Sequence, residues 1–369
     1  MKTVVNIFRI ITGVLFIFSG LVKAIDPLGL AYKMQEFFEA FAHEGWMPGL
    51  MNSLNDYALA FSITMITLEV VLGIALLLGA WKKLTTFLLL LLMLLFLFLT
   101  AYVLFSGRIR ACGCFGDCVP LTPVQTFAKD VILLIMILVL FFYRRFIHPV
   151  HKPMILWIII IVSTVATIML QYYVLRNLPV VDCLPFKKGN NVLELRKMPA
   201  DAVQDKFDYV FVYSKDGKEE QFSAEELPDS TWEFVDRKQI LIEKGRNNIP
   251  AINDYHLTND EGVDVTETLM EQDRTYYLFY LRDVPSSKPS WLKTMRRFLE
   301  KTNAPVYVVV SQRDKGETFI RKHGLGELPV LTLDATAIKT AARSAATLYQ
   351  MKGAVVKKKW GTGQLALAP

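Results

Sequence analysis

The sequence predicts a multi-domain membrane protein: an α-helical transmembrane bundle of four helices plus a fifth span, followed by a soluble α/β domain. Mean hydropathy is +0.32 and 53% of residues are hydrophobic, too apolar for one soluble domain of 369 residues, yet 21% are charged, too many for a chain wholly in lipid. Five apolar segments precede residue 175, and most of the acidic, mixed-charge sequence follows it. Beyond residue 250, strand-like and helix-like patterns alternate. The net charge of +6 forms no basic stripe interleaved with aromatics, so no nucleic-acid partner is expected and the excess is read as topology signal.

The apolar segments are residues 4–25, 58–80, 84–105, 123–146 and 154–174, each long enough to cross about 30 Å of hydrocarbon. The fourth opens with Gln125, Thr126, Lys129 and Asp130, so that end must face protein or water. The first is read as a retained span: Arg9 interrupts it, and Ala24-Ile-Asp-Pro offers no small-residue cleavage site. Lys2, Lys82, Lys83, Arg144, Arg145 and Lys152 fall on one side, which is therefore assigned to the cytoplasm. The chain is expected in the bacterial cytoplasmic (inner) membrane, amino terminus inside, surrounded by lipid. The cysteines and the whole carboxy-terminal half then lie in the periplasm, where disulfides persist.

Four domains are expected: a bundle over 1–147, the fifth span over 148–175, a linker with a small β-rich element over 176–250, and an α/β domain over 251–369. Between the first two spans, residues 28–55 carry Phe37, Phe38, Phe41, Trp46 and Met47 at near-helical spacing. They suit a helix lying on the membrane surface, or a cap over the bundle mouth. Residues 176–185 form a proline-stiffened leash with Cys183, with a reach on the order of 30 Å. A hairpin is expected at 209–222, turning at Lys215-Asp-Gly-Lys. In the last domain strands are expected at 276–281, 306–311, 330–333, 348–351 and 355–359, with helices at 291–301, 315–323 and 336–343.

Three of the four cysteines, Cys112, Cys114 and Cys118, fall in the string CGCFGDC at a membrane boundary. Thr122, Pro123 and Gln125 then spell a capping box with proline at the first helical position, so the thiols face a helix N-terminus. Such an end favours thiolate, the species that attacks disulfides or binds metal. Redox-active thiols, structural disulfides and a metal site are all open; the loop has no histidine, and no metal is expected. Cys112 and Cys114 are taken as the exchanging pair, with Cys118 and Cys183 as shuttle or resolving thiols. Glu69, inside the second span, is a functional candidate with Arg9 as its expected partner, the two lying about 15 and 8 Å deep. Lys129 and Asp130 lie beneath the cysteines, where they can tune a thiolate, orient a cofactor or anchor the membrane edge. No cysteine follows strand 276–281, so the last domain reads as a binding module that holds a client protein.

GVLFIFSGLVK at 13–23 with Asp26-Pro27, Glu69 with Gly73 and Gly79, and CGCFGDC with its Leu-Thr-Pro helix start resemble the DoxX-like superfamily, specifically its MauE-type redox-associated branch, over residues 1–145. That resemblance implies a four-helix bundle related to quinone-linked membrane oxidoreductases, with a membrane quinone as cofactor near Glu69, Arg9, Lys129 and Asp130. It also implies a part in methylamine utilisation, where the family is associated with disulfide formation in a dehydrogenase. The whole chain looks like longer Bacteroidetes proteins in which one more span and a thioredoxin-like tail follow. Here the tail lacks Cys-x-x-Cys, and Ala346 stands where those tails place a cis-proline. The leading expectation is thiol-disulfide exchange at the periplasmic face, linked to quinone and serving a client protein. The alternative is a non-enzymatic anchor displaying a redox-inactive thioredoxin-like domain with structural disulfides.

Overall fold

The computed structural model describes residues 1–109, 116, 118–215, 217–243 and 245–369. Cys112 and Cys114 lie outside the described residues. Among those described, five helices are long and apolar enough to cross a membrane: α1 (Lys2–Ala24), α4 (Ala58–Leu78), α5 (Lys82–Ser106), α6 (Pro123–Phe142) and α7 (Pro153–Asn177). Two shorter helices, α2 (Pro27–His43) and α3 (Pro48–Asp56), connect the first two spans.

The spans turn many of their polar and small residues inward, among an apolar core, and present mainly apolar side chains outward. In α1 the residues Thr12, Gly13, Ser19, Gly20 and Lys23 are buried, while Ile7, Ile10, Val14, Phe18 and Leu21 face outward. Small residues set the register of α1 on α4: a Cβ at Gly73 would lie 2.9 Å from Gly13 O and 3.0 Å from Ile17 N. Because those neighbours are backbone, Gly73→Val should cost about 1–3 kcal/mol, read as a lower unfolding temperature in detergent; an unchanged temperature contradicts this packing. Helix α7 is peripheral, with Met154, Trp157, Ile161, Val165 and Met169 exposed, and it meets α4 through Gln171 Nε2, which donates to Thr67 Oγ1 at 3.0 Å.

Helix α2 is a cap and not a surface float. Asp26 caps it, accepting from Gly29 N, and Pro27 starts it. Its apolar face, with Met34, Phe37, Phe38 and Phe41, is buried in the bundle core, and Ser62 Oγ in α4 donates to Pro27 O at 2.8 Å. Helix α4 extends outward past the end of α1, and this gives α2 protein to pack against in place of lipid.

After the short helix α8 (Val192–Leu195), strands β1 (Lys206–Lys215), β2 (Lys218–Ser223) and β3 (Glu233–Glu243) make an antiparallel sheet of order β2-β1-β3. The expected hairpin is β1–β2; β3 was missed because it lacks a buried face and hence an alternating pattern. The last region follows α9 (Thr266–Met270) and reads β4 (Thr275–Leu281), α10 (Leu292–Lys301), β5 (Val306–Val310), α11 (Arg313–Lys322), β6 (Val330–Thr332), α12 (Ala335–Ala341), β7 (Ala346–Lys352) and β8 (Val355–Gly361). Its sheet runs β6-β5-β4-β7-β8, with β4, β5 and β6 parallel and β7 and β8 antiparallel, the thioredoxin-like α/β arrangement that was expected.

One face of this sheet is covered by α10 and α11 through Trp291, Phe298 and Phe319. The other is covered by α12 together with Phe186, Val192, Ile252 and Tyr255. Residues 186–195 thus belong to this core and are not linker: Gly189 N donates to Val356 O at 2.8 Å, and Val192 N to Ala354 O at 2.9 Å, which covers the β8 edge. Burial holds the hydroxyls of Tyr255, Tyr276, Tyr280 and Tyr349 protonated above the ordinary tyrosine value of 10.0. A raised folded value means that their stabilisation is complete below pH 10.0 and is lost as pH rises through the folded values. In an alkaline titration their tyrosinate absorbance should therefore appear cooperatively, with loss of near-ultraviolet dichroism. A smooth rise at pH 10.0 with the dichroism intact contradicts this.

Candidate functional site

The site is built where α1 ends, at the mouth of the bundle. The capping box is present at the start of α6: Thr122 Oγ1 accepts from Gln125 N at 3.3 Å, and Gln125 Oε1 accepts from Thr122 N at 3.1 Å. Cys118, four residues earlier, is bonded to Cys183 with Cα atoms 4.9 Å apart. The bridge spans 65 residues of sequence and ties the cysteine-rich loop to the leash after α7. Both cysteines are half-buried. Behind them, a cavity of about 20 Å3 is lined by Val22, Asp26, Lys33, Gly116, Cys118 and Cys183.

One residue beyond Val22 begins a buried charged cluster. Lys23 Nζ lies 2.5 Å from Glu69 Oε2, both side chains at least 96% buried, and 4.6 Å from the centre of the Phe96 ring. Lys129 Nζ lies 2.6 Å from Asp130 Oδ1, and Asp130 is wholly buried. Lys23, Glu69, Lys129 and Asp130 line one cavity of about 20 Å3, room for a single water. The two lysines and two carboxylates balance in charge, which is what lets four ionisable groups share a membrane interior.

The expected Arg9–Glu69 pair is corrected. Arg9 donates instead to Leu77 O at 3.1 Å and His148 O at 3.3 Å, at the other end of the bundle. Gly13 packs on Gly73 and Leu77, so Arg9, a turn earlier, falls about two turns from Glu69. Gly20 packs on Val70, which brings Lys23 to Glu69. Counting depth in each helix separately missed this, because the stagger of α1 on α4 is set by glycine contacts. Of the expected cofactor set, Glu69, Lys129 and Asp130 come together and Arg9 does not.

The soluble α/β region docks on this mouth. Arg343 Nε lies 2.9 Å from Asp26 Oδ2, and Arg343 and Lys339 stand over the Tyr32 ring at 5.3 and 5.2 Å. Burial chiefly pushes the Tyr32 hydroxyl up, against the opposing charges of Arg282 and Arg343. Gly363 N donates to Arg176 O at 2.8 Å, and Lys359 Nζ lies 2.5 Å from Asp182 Oδ2. Burial lowers the Lys359 ammonium, partly offset by Asp182. Arg282, just past β4, donates a hydrogen bond to Tyr32 of α2, and Arg343, just before β7, reaches Asp26 at the start of α2, so the end of the sheet where an open α/β fold binds ligands is turned toward α2. Ala346, expected ahead of the strand at 348–351, is instead the first residue of β7.

Against known proteins, residues 1–143 match the family described as Methylamine utilisation protein MauE. Residues 207–244, the three-stranded sheet, match a domain of unknown function, DUF8463. Protein TlpB of Flavobacterium psychrophilum is 34% identical over 85 residues, which is 22% of this chain and 23% of that protein. The match therefore spans under a quarter of that relative. No solved structure matches the chain. Over residues 1–143 the chain is thus similar to the MauE family, the likeness that its motifs carried.

Proposed function

We propose that this MauE-type membrane protein carries out thiol-disulfide exchange at the periplasmic face of the bacterial inner membrane, oxidising the thiols of a client protein. Cys112 and Cys114 are the exchanging pair, and Cys118 and Cys183 relay electrons to them. The Cys118–Cys183 bridge carries this reading, because it joins the cysteine-rich loop to the leash directly above the buried charged cluster. In each exchange the client loses two electrons and two protons and gains a disulfide, while one disulfide of the chain becomes two thiols. Such exchange requires a thiolate and an accessible sulfur. No cysteine follows Cys183, so the chemistry belongs to the bundle mouth and not to the thioredoxin-like region.

A membrane quinone is the acceptor that the resemblance implies. The polar groups of Glu69, Lys129 and Asp130 suit quinone oxygens, but their cavity of about 20 Å3 does not admit a ring. Arg9 lies at the far end of α1, so we derive no step through a quinone inside the bundle.

The test is oxidation of a reduced dithiol peptide by the full chain in liposomes, with a soluble quinone analogue as oxidant. Turnover that requires Cys112 and Cys114 is expected; a rate equal to empty liposomes contradicts the proposal. One observation favours a second reading, a non-catalytic anchor: closing a loop of this length stabilises a fold by about 4 kcal/mol through the unfolded chain. On that reading Cys118→Ser lowers stability and no variant alters dithiol oxidation.

A further inference from the structure

Two cavities of about 550 and 660 Å3 lie between α2 and the soluble α/β region. They share Lys33, Glu36, Glu39, Ala251, Thr336 and Thr340, so they form one continuous cleft. Each part is within the size range of ligand sites, and the two together suit a short extended peptide segment. The walls are mixed: Lys33 Nζ is held by Glu36 at 2.9 Å, Glu39 accepts from Asn55, and Phe186 and Ile252 supply apolar floor. The inner end is lined by Cys183 and Pro120. Cys118 does not line the cleft; it lines only the small cavity behind, toward Val22.

We propose that this cleft admits a cysteine-bearing polypeptide segment whose thiolate attacks Cys183 and expels Cys118. The inference rests on the exchange reaction proposed above and adds where the client enters and which sulfur it meets. Because Cys183 lines the cleft and Cys118 does not, a nucleophile arriving along the cleft meets Cys183 first, and attack there makes Cys118 the leaving sulfur. The client sulfur bonds to Cys183, the Cys118–Cys183 bond breaks, and its electron pair leaves on Cys118, which takes up a proton. A second client thiolate then attacks the client sulfur and releases Cys183 as a thiol, leaving an oxidised client. Lys33 lines both cavities, and its ammonium favours the thiolates formed. The expelled Cys118 lies four residues from Cys114, so the electrons arrive on the loop that holds the exchanging pair.

The test uses the full chain in nanodiscs, with no electron acceptor, and a short peptide carrying one thiol. A mixed disulfide on Cys183, mapped by mass spectrometry, is expected. Thr340→Trp and Ala251→Trp, which fill the cleft at surface positions, should slow peptide attack by roughly tenfold and leave reduction by dithiothreitol unchanged, which also reports an intact fold. An adduct on Cys118, or peptide attack at the wild-type rate in both filled variants, overturns the proposal. If the Cys183 adduct forms but no dithiol turnover is found with an oxidant present, the cleft stands and the catalytic reading fails. Turnover with adducts only on Cys112 or Cys114 gives the converse.

Discussion

Cys112→Ser and Cys114→Ser each remove dithiol oxidation, by roughly 100-fold or more, while the Cys118–Cys183 bridge still forms. A serine hydroxyl neither accepts an electron pair from an attacking thiolate nor leaves with one, so electrons that reach Cys118 and Cys183 should have no second disulfide to pass to, and turnover should stop after the first exchange. Each variant keeps three cysteines: Cys118 and Cys183, bonded to each other, and one of Cys112 and Cys114, which alone cannot re-form the exchanging disulfide. Stability should change little, because the Cys118–Cys183 bridge between the cysteine loop and the leash is kept in the resting protein. The check pairs a turnover assay with non-reducing electrophoresis of the same preparation. Loss of turnover with an intact bridge is expected; retained turnover assigns the chemistry elsewhere.

Breaking the buried Lys23–Glu69 pair is expected to have the second large effect. Glu69 keeps its carboxylate at most 4% exposed, 2.5 Å from the Lys23 ammonium, between helices whose other surface faces lipid. Lys23→Met leaves that carboxylate uncompensated at a cost of about 3–5 kcal/mol, and Glu69→Leu does the same to the ammonium. The double variant removes both charges and should recover most of the loss, since replacing a buried pair by apolar groups is close to neutral. Unfolding in a denaturing detergent, followed by far-ultraviolet dichroism, reads all three. A double variant as unstable as the worse single one contradicts pairwise compensation. Because Lys23 anchors α1 just beneath the disulfide, the single variants should also loosen the bundle mouth and speed reduction of the Cys118–Cys183 bridge.

Much of this architecture is legible in the sequence because lipid imposes length and polarity on each span separately. The five spans begin and end within a few residues of the apolar segments, and the α6 start follows from Thr122, Pro123 and Gln125 alone. The strands around Tyr276 and Val308 are equally legible, being short β-branched and aromatic runs bounded by turns. What escaped depends on how elements meet. Helix α2 turned its aromatic face into protein because α4 overshoots α1, a relation that no single segment encodes. Lys23 reached Glu69 because three glycines fix the stagger of two helices. Residues 186–195 joined the distant β8 edge through backbone hydrogen bonds, which leave no side-chain signature. The cleft, formed between α2 and residues some 300 positions later, as at Gln35 and Lys339, is wholly tertiary.

The most direct measurement is the redox state of each cysteine over time in native membranes. Reduced dithiol peptide is added in a pulse, samples are quenched in acid, and free thiols are tagged by mass. The relay predicts thiols first at Cys118 and Cys183, then at Cys112 and Cys114, with all four returning to disulfides once a soluble quinone analogue is added as the electron acceptor. Four sulfurs that keep their initial state while the peptide stays reduced contradict it.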